Sequence, residues 1–322
     1  MLLAGDIGGT KTLLGLFGPA PTRPRAITVQ AFATLEHRGL ADILTAFLGA
    51  RPASDRAIER VAFGVAGPVI DDHVEVTNVG WKLDARAIAR GLGVGHVDLL
   101  NDLQAMAYGV PVLHDSEVHV LQAGTPVRGG NMALIAAGTG LGSALLHNVE
   151  GRFIPSPCEG GHADFAARNE REMHLVRSLI TRNGRAEVEA VVSGPGLVNI
   201  HRMTHREPCR AVPALDEPGA PASISDAALN GRCRGCVEAL EMFVDAYGAE
   251  AGNHALRTVS TAGLYIGGGI APKILPALTD GRFMRAFRSK SAFEPMLAAM
   301  PVKVILNPET GLLGAAVYAS RA

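Results

Sequence analysis

Cysteine is scarce in this chain: there are four among 322 residues, at positions 158, 209, 233 and 236. So few, so unevenly placed, exclude a disulfide framework as the means of holding the fold. Cys233 and Cys236 form one C-x-x-C, but no second C-x-x-C and no His pair stands beside it. That spacing reads as thiols at the start of a helix, and zinc is not expected there. Long apolar runs are also missing, and none approaches the roughly 20 residues of a membrane span. The first apolar run has no cationic start and Asp6 interrupts it early, so a signal peptide is not expected and the cytoplasm is the default location. Neither sign of charge dominates, with 30 Lys and Arg against 31 Asp and Glu, so nothing marks nucleic acid or an anionic membrane as partner. The basic stretch Arg282–Lys290 is short, mixed with apolar residues, and reads as a solvated helix face.

Two common nucleotide motifs are lacking as well. A Walker A loop counted from Gly5 needs glycine at its sixth position, which is Thr10. A G-x-G-x-x-G fingerprint counted from Gly138 needs glycine where Ser143 stands. What is present instead is LLAGDIGGTKTLLGLF, from Leu2 to Phe17, which reads as strand, tight turn, strand. Paired Gly8 and Gly9 let the backbone approach a ligand, and their N–H groups with Thr10, Lys11 and Thr12 make a donor cluster suited to phosphate. Asp6, ending the first strand, is placed to face a divalent cation, through water for magnesium.

With 48% hydrophobic and 19% charged residues, the composition fits a compact α/β enzyme of one large or two medium domains. Strands are expected at 61–65, 97–100, 132–136, 142–146, 264–266 and 302–306, and helices at 40–48, 84–91, 102–108, 170–180, 195–205, 233–257 and 311–319. The proline-rich stretch Glu207–Ala222 reads as an exposed connector. Met132–Asn148 repeats the N-terminal pattern of apolar run, Gly/Thr turn and apolar run, which suggests two related lobes, each with a phosphate loop. In the second loop Gly138, Thr139 and Gly140 supply amides and a hydroxyl. A third cluster, Gly267, Gly268 and Gly269, ends a strand ahead of Pro272, which suits the first turn of a helix, and its bare backbone suits a flat adenosine ring.

Asn101-Asp102 ends the strand of HVDLLND and opens a helix, where it reads equally as N-cap and as functional pair. Ligands of open α/β sheets gather beyond the carboxyl ends of strands, and a carboxylate there can accept a hydroxyl proton during phosphoryl transfer. Glu159 and His162, in the loop CEGGH, read as two metal ligands, as an acceptor and an imidazole for a polyol, or as part of a surface loop. Glu189, ahead of SGPG at a helix start, reads as solvated or as turned into the cleft.

DIGGT, LLND, AAGTGLG, CEGGH, E-x-x-x-SGPGL and IGGGI-x-P occur in this order, up to a terminal GLLGAA. In these motifs the chain resembles the bacterial glucokinases, of the superfamily that also holds hexokinase, actin and the heat-shock ATPases. The resemblance implies a two-lobed actin-like, ribonuclease H-like ATPase fold with a nucleotide and sugar cleft between the lobes. It implies a small domain of residues 1–111 plus 302–322 and a large one of 112–301. The implied activity is ATP-dependent phosphorylation of glucose at its 6-hydroxyl, feeding glycolysis, with Mg²⁺, in a cytoplasmic homodimer. Asp102 matches the general base. Asn101, Gly138, Glu159, His162 and Glu189 match sugar-binding positions, and Gly138 lies in a loop that also touches phosphate. Asp6, Gly8, Gly9 and Thr10 match the first phosphate loop, Thr139 and Gly140 the second, and Gly267, Gly268 and Gly269 the adenosine site. Lys11, a nucleotide-binding candidate from the donor cluster, gives the turn the GGTK form that the related ROK proteins often show, so this motif does not separate the two branches. Lobe closure on the sugar would exclude water.

The related ROK sugar kinases and repressors carry a Cys-rich zinc motif just after their His, whereas here HADFAARNERE has no cysteine. Alternatives stay open: a kinase for mannose, fructose or an N-acetylhexosamine, or a ROK-type sugar-sensing regulator. The regulator would need a DNA-binding domain ahead of Asp6, for which no room is expected.

Overall fold

The computed structural model describes residues 1–51, 57–77, 79–205, 207–212 and 214–321. By its contacts the chain divides into two compact units. The first comprises Met1–His114, Phe153–Pro157 and Asn307–Ala322, and the second Asp115–Arg152 and Cys158–Leu306.

In the first unit β1 (Leu2–Ile7), β2 (Lys11–Gly18) and β3 (Arg25–Ala33) form an antiparallel meander. After α1 (Leu40–Gly49), β4 (Arg60–Val65) pairs parallel with β1. A small hairpin, β5 (His73–Glu75) and β6 (Lys82–Asp84), leads into α2 (Ala85–Leu92). Then β7 (Asp98–Asn101) pairs parallel with β4 and runs into α3 (Asp102–Gly109). The sheet order is β3-β2-β1-β4-β7.

Alternation along β1 decides what each face does. Leu3 and Ile7 join Leu14, Leu16 and Phe63 in a core on one face. Leu2 and Ala4 point the other way, against Leu312, Ala315, Ala316 and Ala319 of the C-terminal helix α11 (Thr310–Arg321). Asp6 has the same parity as Leu2 and Ala4, which aims its carboxylate at the start of α11.

The second unit begins with β8 (Val118–Gln122), followed by the hairpin β9 (Met132–Ala137) and β10 (Leu141–Val149). The strand β11 (Arg152–Cys158) pairs with β10, while its residues Phe153–Pro157 are those counted in the first unit. Helices α4 (Glu170–Asn183), α5 (Gly194–Thr204), α6 (Ala220–Leu229) and the 25-residue α7 (Arg234–Thr258) come next. Then β12 (Gly263–Gly267), α8 (Leu275–Leu278), α9 (Arg282–Arg288), α10 (Glu294–Ala299) and β13 (Val302–Ile305) complete it. The six-stranded sheet is ordered β11-β10-β9-β12-β13-β8, with β12 parallel to both β9 and β13. Its core is built around Phe243 and Tyr247 of α7, with Leu264, Ile266 and Phe283.

Several expectations are corrected here. The stretch 207–222 is not an exposed connector, because Cys209 and Val212 are buried in the second unit's core and Ala220–Leu229 is helix. Arg206 and Pro213 lie outside the described residues. Residues 302–306 stay with the second unit, since β13 pairs with β12 and β8, and the chain returns to the first unit at Asn307. The basic stretch at 282–290 is only half solvated, with Phe283, Met284, Ala286 and Phe287 buried. Residues 268–274 form turns, with helix only from Leu275.

Candidate active site

In the first unit the candidate residues lie where parallel strands end. Register sets Asp6 beside Gly64 and Val65 beside Asn101, so β1, β4 and β7 finish side by side. Asp6 faces Gly311 in the first turn of α11, and a Cβ at position 311 would lie 2.7 Å from its Oδ2. A side chain there would displace the carboxylate. The Asp6 carboxyl is pushed up to about 6, first by its withdrawal from water and second by the charge of Asp102, against the opposing pull of Lys11. An acid held partly against its own ionisation, with a second acid close by, is a hard-oxygen donor set that suits a divalent cation.

Beyond Asp6 the chain turns through Gly8 and Gly9, where the Gly8 N–H donates to the Lys11 carbonyl at 3.1 Å. Thr10 and Lys11 are exposed. Thr12 is not part of this donor cluster: it is fully buried, and its hydroxyl bonds that of Thr34 at 2.9 Å. Thr34 in turn donates to the Gly8 carbonyl at 2.9 Å. The two threonines brace the turn from behind. Thr34 was missed because its partner is 26 residues away and no local pattern marks it.

Asn101 and Asp102 divide the two readings of their pair. Asn101 is the N-cap of α3, its Oδ1 accepting from Leu103 N at 3.0 Å and Gln104 N at 3.3 Å. Its Nδ2 donates to the Gly67 carbonyl at 3.2 Å, fixing the amide's orientation. Asp102 is the first helical residue and accepts from Leu103 N at 2.9 Å.

In the second unit the turn between β9 and β10 carries Gly138, Thr139 and Gly140. The Gly138 N–H donates to the Gly140 carbonyl at 2.8 Å, and the Gly138 carbonyl accepts from Gly194 N at 2.8 Å. Thr139 at the tip is exposed. Glu189 reaches this turn, its Oε2 accepting from Leu141 N at 2.7 Å. Its own N–H donates to the Gly161 carbonyl at 2.8 Å, so it joins the glycine turn to the loop of Glu159 and His162. Ser193 caps α5 and donates to the Glu189 carbonyl at 2.6 Å, which fixes Glu189 from the other side.

Glu159 and His162 are both exposed. His162 Nδ1 bonds Glu187 Oε2 at 2.9 Å, and this bond, ahead of the charges of Glu189, Glu187 and Glu159, raises the imidazole above its usual range. Glu187 was also missed: it lies two residues before Glu189, but nothing in AEVEA marks it as a partner for His162.

Gly267 ends β12 and Gly268 and Gly269 follow it; β12 pairs parallel with β9 in a register that sets Gly267 opposite Ala136. Gly268 has φ +83°, and a Cβ there would collide with the Ala137 carbonyl, so only glycine fits. The third glycine cluster thus lies beside the second phosphate-type loop, as it does not in the sequence.

The family profile described as Glucokinase matches residues 3–322. A curated glucokinase of Nostoc punctiforme is 38% identical over 343 residues, covering 100% of this chain and 99% of the relative. The crystal structure of a glucokinase from an Antarctic psychrotroph superimposes with TM-score 0.86 at 26% identity, covering 100% of this chain and 99% of that one. A ROK-family glucokinase from Streptomyces griseus, solved in complex with glucose and AMPPNP, has TM-score 0.67 at 22% identity, covering 100% of this chain and 99% of its own, and shares the fold. The fold is that of the actin-like ATPases. The ordered glycine turns, the acids beside them and a match along the whole length agree: the chain belongs to the glucokinase family.

Proposed function

We propose that this protein transfers the γ-phosphoryl group of ATP to the 6-hydroxyl of glucose, with Asp102 as general base. The observation that supports this most is the placing of Asp102 at the strand–helix junction next to Asp6, in a chain matched along its length by glucokinases. Asp102 takes the hydroxyl proton as the oxygen attacks the γ-phosphorus, and the attacking oxygen is deprotonated only as its bond to phosphorus forms. Asn101, Glu159, His162, Glu189 and Gly138 hold the remaining sugar hydroxyls. The Leu141 and Glu187 contacts fix the Glu189 and His162 side chains in advance, so the sugar meets groups already oriented.

Gly8, Gly9, Thr10 and Lys11, and Thr139 and Gly140, receive the phosphates, and Gly267, Gly268 and Gly269 leave space for the adenosine. Asp6 would hold Mg²⁺ through water, and the ion would supply neutralisation of charge on the phosphate being transferred. The same reading makes the protein a cytoplasmic homodimer supplying hexose phosphate to glycolysis.

A coupled ADP-release assay with Mg-ATP over a panel of hexoses and N-acetylhexosamines tests the assignment. Glucose should be turned over best. Asp102→Asn should lower kcat by about 10²–10⁴-fold with little change in KM for ATP, the usual worth of a general base. Turnover of no sugar, or an Asp102→Asn enzyme near wild type, would overturn the reading.

A further inference from the structure

Away from these residues, α5 and the start of α7 bring together side chains that are scattered in the sequence. His201 lies in the last turn of α5, His205 just beyond it, Cys209 in the following segment, and Cys233 and Cys236 at the N-cap and in the first turn of α7. His205 Nε2 is 3.2 Å from Cys233 Sγ and 4.0 Å from Cys236 Sγ. Cys209 Sγ is 3.6 Å from Cys233 Sγ and 3.8 Å from Cys236 Sγ. We propose that His205, Cys209, Cys233 and Cys236 are the four ligands of a structural, tetrahedral zinc ion.

The distances carry the argument. Zinc bonds of about 2.3 Å to sulfur and 2.0–2.1 Å to nitrogen give tetrahedral edges of roughly 3.5–3.8 Å. Four of the six edges are given by the contacts above, and each lies within a few tenths of an ångström of that span. Three sulfurs set around one imidazole nitrogen at these spacings form a donor set that selects zinc.

His205 is also set as a ligand. Its Nδ1 lies 2.9 Å from the His201 carbonyl, to which it donates, so the lone pair is on Nε2, the atom facing the sulfurs. Gly235, between the two cysteines of α7, makes room for the ring: a Cβ there would lie 2.6 Å from His205 Cε1.

His201 offers a rival fourth ligand, since its atoms lie within 4.8 Å of those of His205, Cys209 and Cys236. Among the described residues neither of its buried ring nitrogens has a hydrogen-bond partner. Its geometry excludes it all the same. The two rings stack with centroids 3.7 Å apart and planes inclined by only 22°. A metal must lie near the plane of each imidazole that binds it, and two nearly parallel planes do not meet within a bond length of both rings. Cys233 completes the set, and His201 packs flat on the ligand ring.

A surface depression of about 430 Å³, lined in part by His205, Cys209 and Cys233, gives the ion a way in. All four positions are filled by protein, so no place is left for a substrate or activated water, and the role is to tie the end of α5 and Cys209 to α7.

The test uses full-length protein produced with zinc supplementation and purified under a non-thiol reductant without chelator. Metal analysis should find one zinc per chain, and thiol titration should find Cys158, the exposed cysteine, reacting at once and the other three only after chelation. Cobalt exchanged for zinc should show the strong visible bands of a tetrahedral ion and thiolate-to-cobalt charge transfer. These three readouts use the wild type and stand even where a ligand variant fails to fold. Cys158→Ser and His201→Phe should keep the spectrum, and Cys233→Ser should lose charge-transfer intensity. A zinc-free wild type that does not take up cobalt would overturn the proposal. So would four equally reactive thiols before chelation, or a spectrum lost in His201→Phe and kept in Cys233→Ser.

Discussion

Asp6 shows how one residue carries opposed demands. Its carboxyl titrates at about 6 in the folded chain against 3.8 for a free side chain, because it is removed from water and set beside Asp102. The sign follows from linkage. Between pH 4 and 6 the folded state holds a proton that the unfolded chain has already released, so stability falls as pH rises through that window. Below pH 4 both states are protonated and the residue costs nothing. At neutral pH the ionised acid therefore destabilises the ligand-free protein by about 1–3 kcal/mol. Asp6→Asn should unfold at higher temperature than wild type at pH 7, the gap closing as the pH is lowered to 4, while phosphorylation activity is lost. Thermal melts of both proteins across that range check it. A gap that did not change with pH would show that the destabilisation is not a matter of charge.

At the scale of elements, the position of Asp102 depends on how α3 sits against α11. The two helices pack with Gly109 and Gly314 facing each other across the contact. A Cβ at Gly314 would collide with the Ala105 carbonyl, and one at Gly109 would lie 2.6 Å from the Thr310 carbonyl. Both obstacles are backbone, which cannot rotate aside. Gly314→Ala should therefore push α3 away from α11, costing about 1–3 kcal/mol or more in stability. It should also lower kcat, through a shift of the base relative to Asp6. Denaturant unfolding and steady-state kinetics test both parts, and a Gly314→Ala enzyme with unchanged stability would refute the packing argument.

What could be read in advance divides along the same line, between local and distant contacts. LLAGDIGGTKTLLGLF is a hairpin because alternation and a glycine turn are both local, and Asn101-Asp102 opens a helix because a cap is local too. The Thr12–Thr34 brace, the Glu187 partner of His162 and the glycines at 311 and 314 depend on residues distant in sequence, so spacing did not reveal them. The edge strands β3 and β11 are largely exposed, and the two prolines of β11 leave it no alternating pattern, whereas the alternation of Ile27, Val29, Ala31 and Ala33 in β3 was there to be read. The proline-rich 207–222 stretch misled because composition there suggested solvent, while Cys209 and Val212 are drawn into the core.

At the scale of the whole molecule, the two sheets repeat one plan. In the first, a hairpin of β1 and β2 is followed outward by parallel β4 and β7; in the second, a hairpin of β9 and β10 is followed by parallel β12 and β13. The similarity of Met132–Asn148 to the N-terminus, visible in the sequence, is thus a similarity of topology and not only of glycine content. Each unit also has its own core, one around Phe63 and Ile7 and the other around Phe243 and Phe283. Separate cores melt together only if the free energy coupling them exceeds the difference in their own stabilities, so the ligand-free protein should depart from two-state unfolding. The calorimetric enthalpy should exceed the van't Hoff value. Truncating a fully buried ring in either core costs about 3–5 kcal/mol, and that loss falls on the unit that contains it. Phe63→Ala should move one component of the melt to lower temperature and Phe243→Ala the other. A single transition displaced as a whole by both substitutions would show instead that the two units unfold as one.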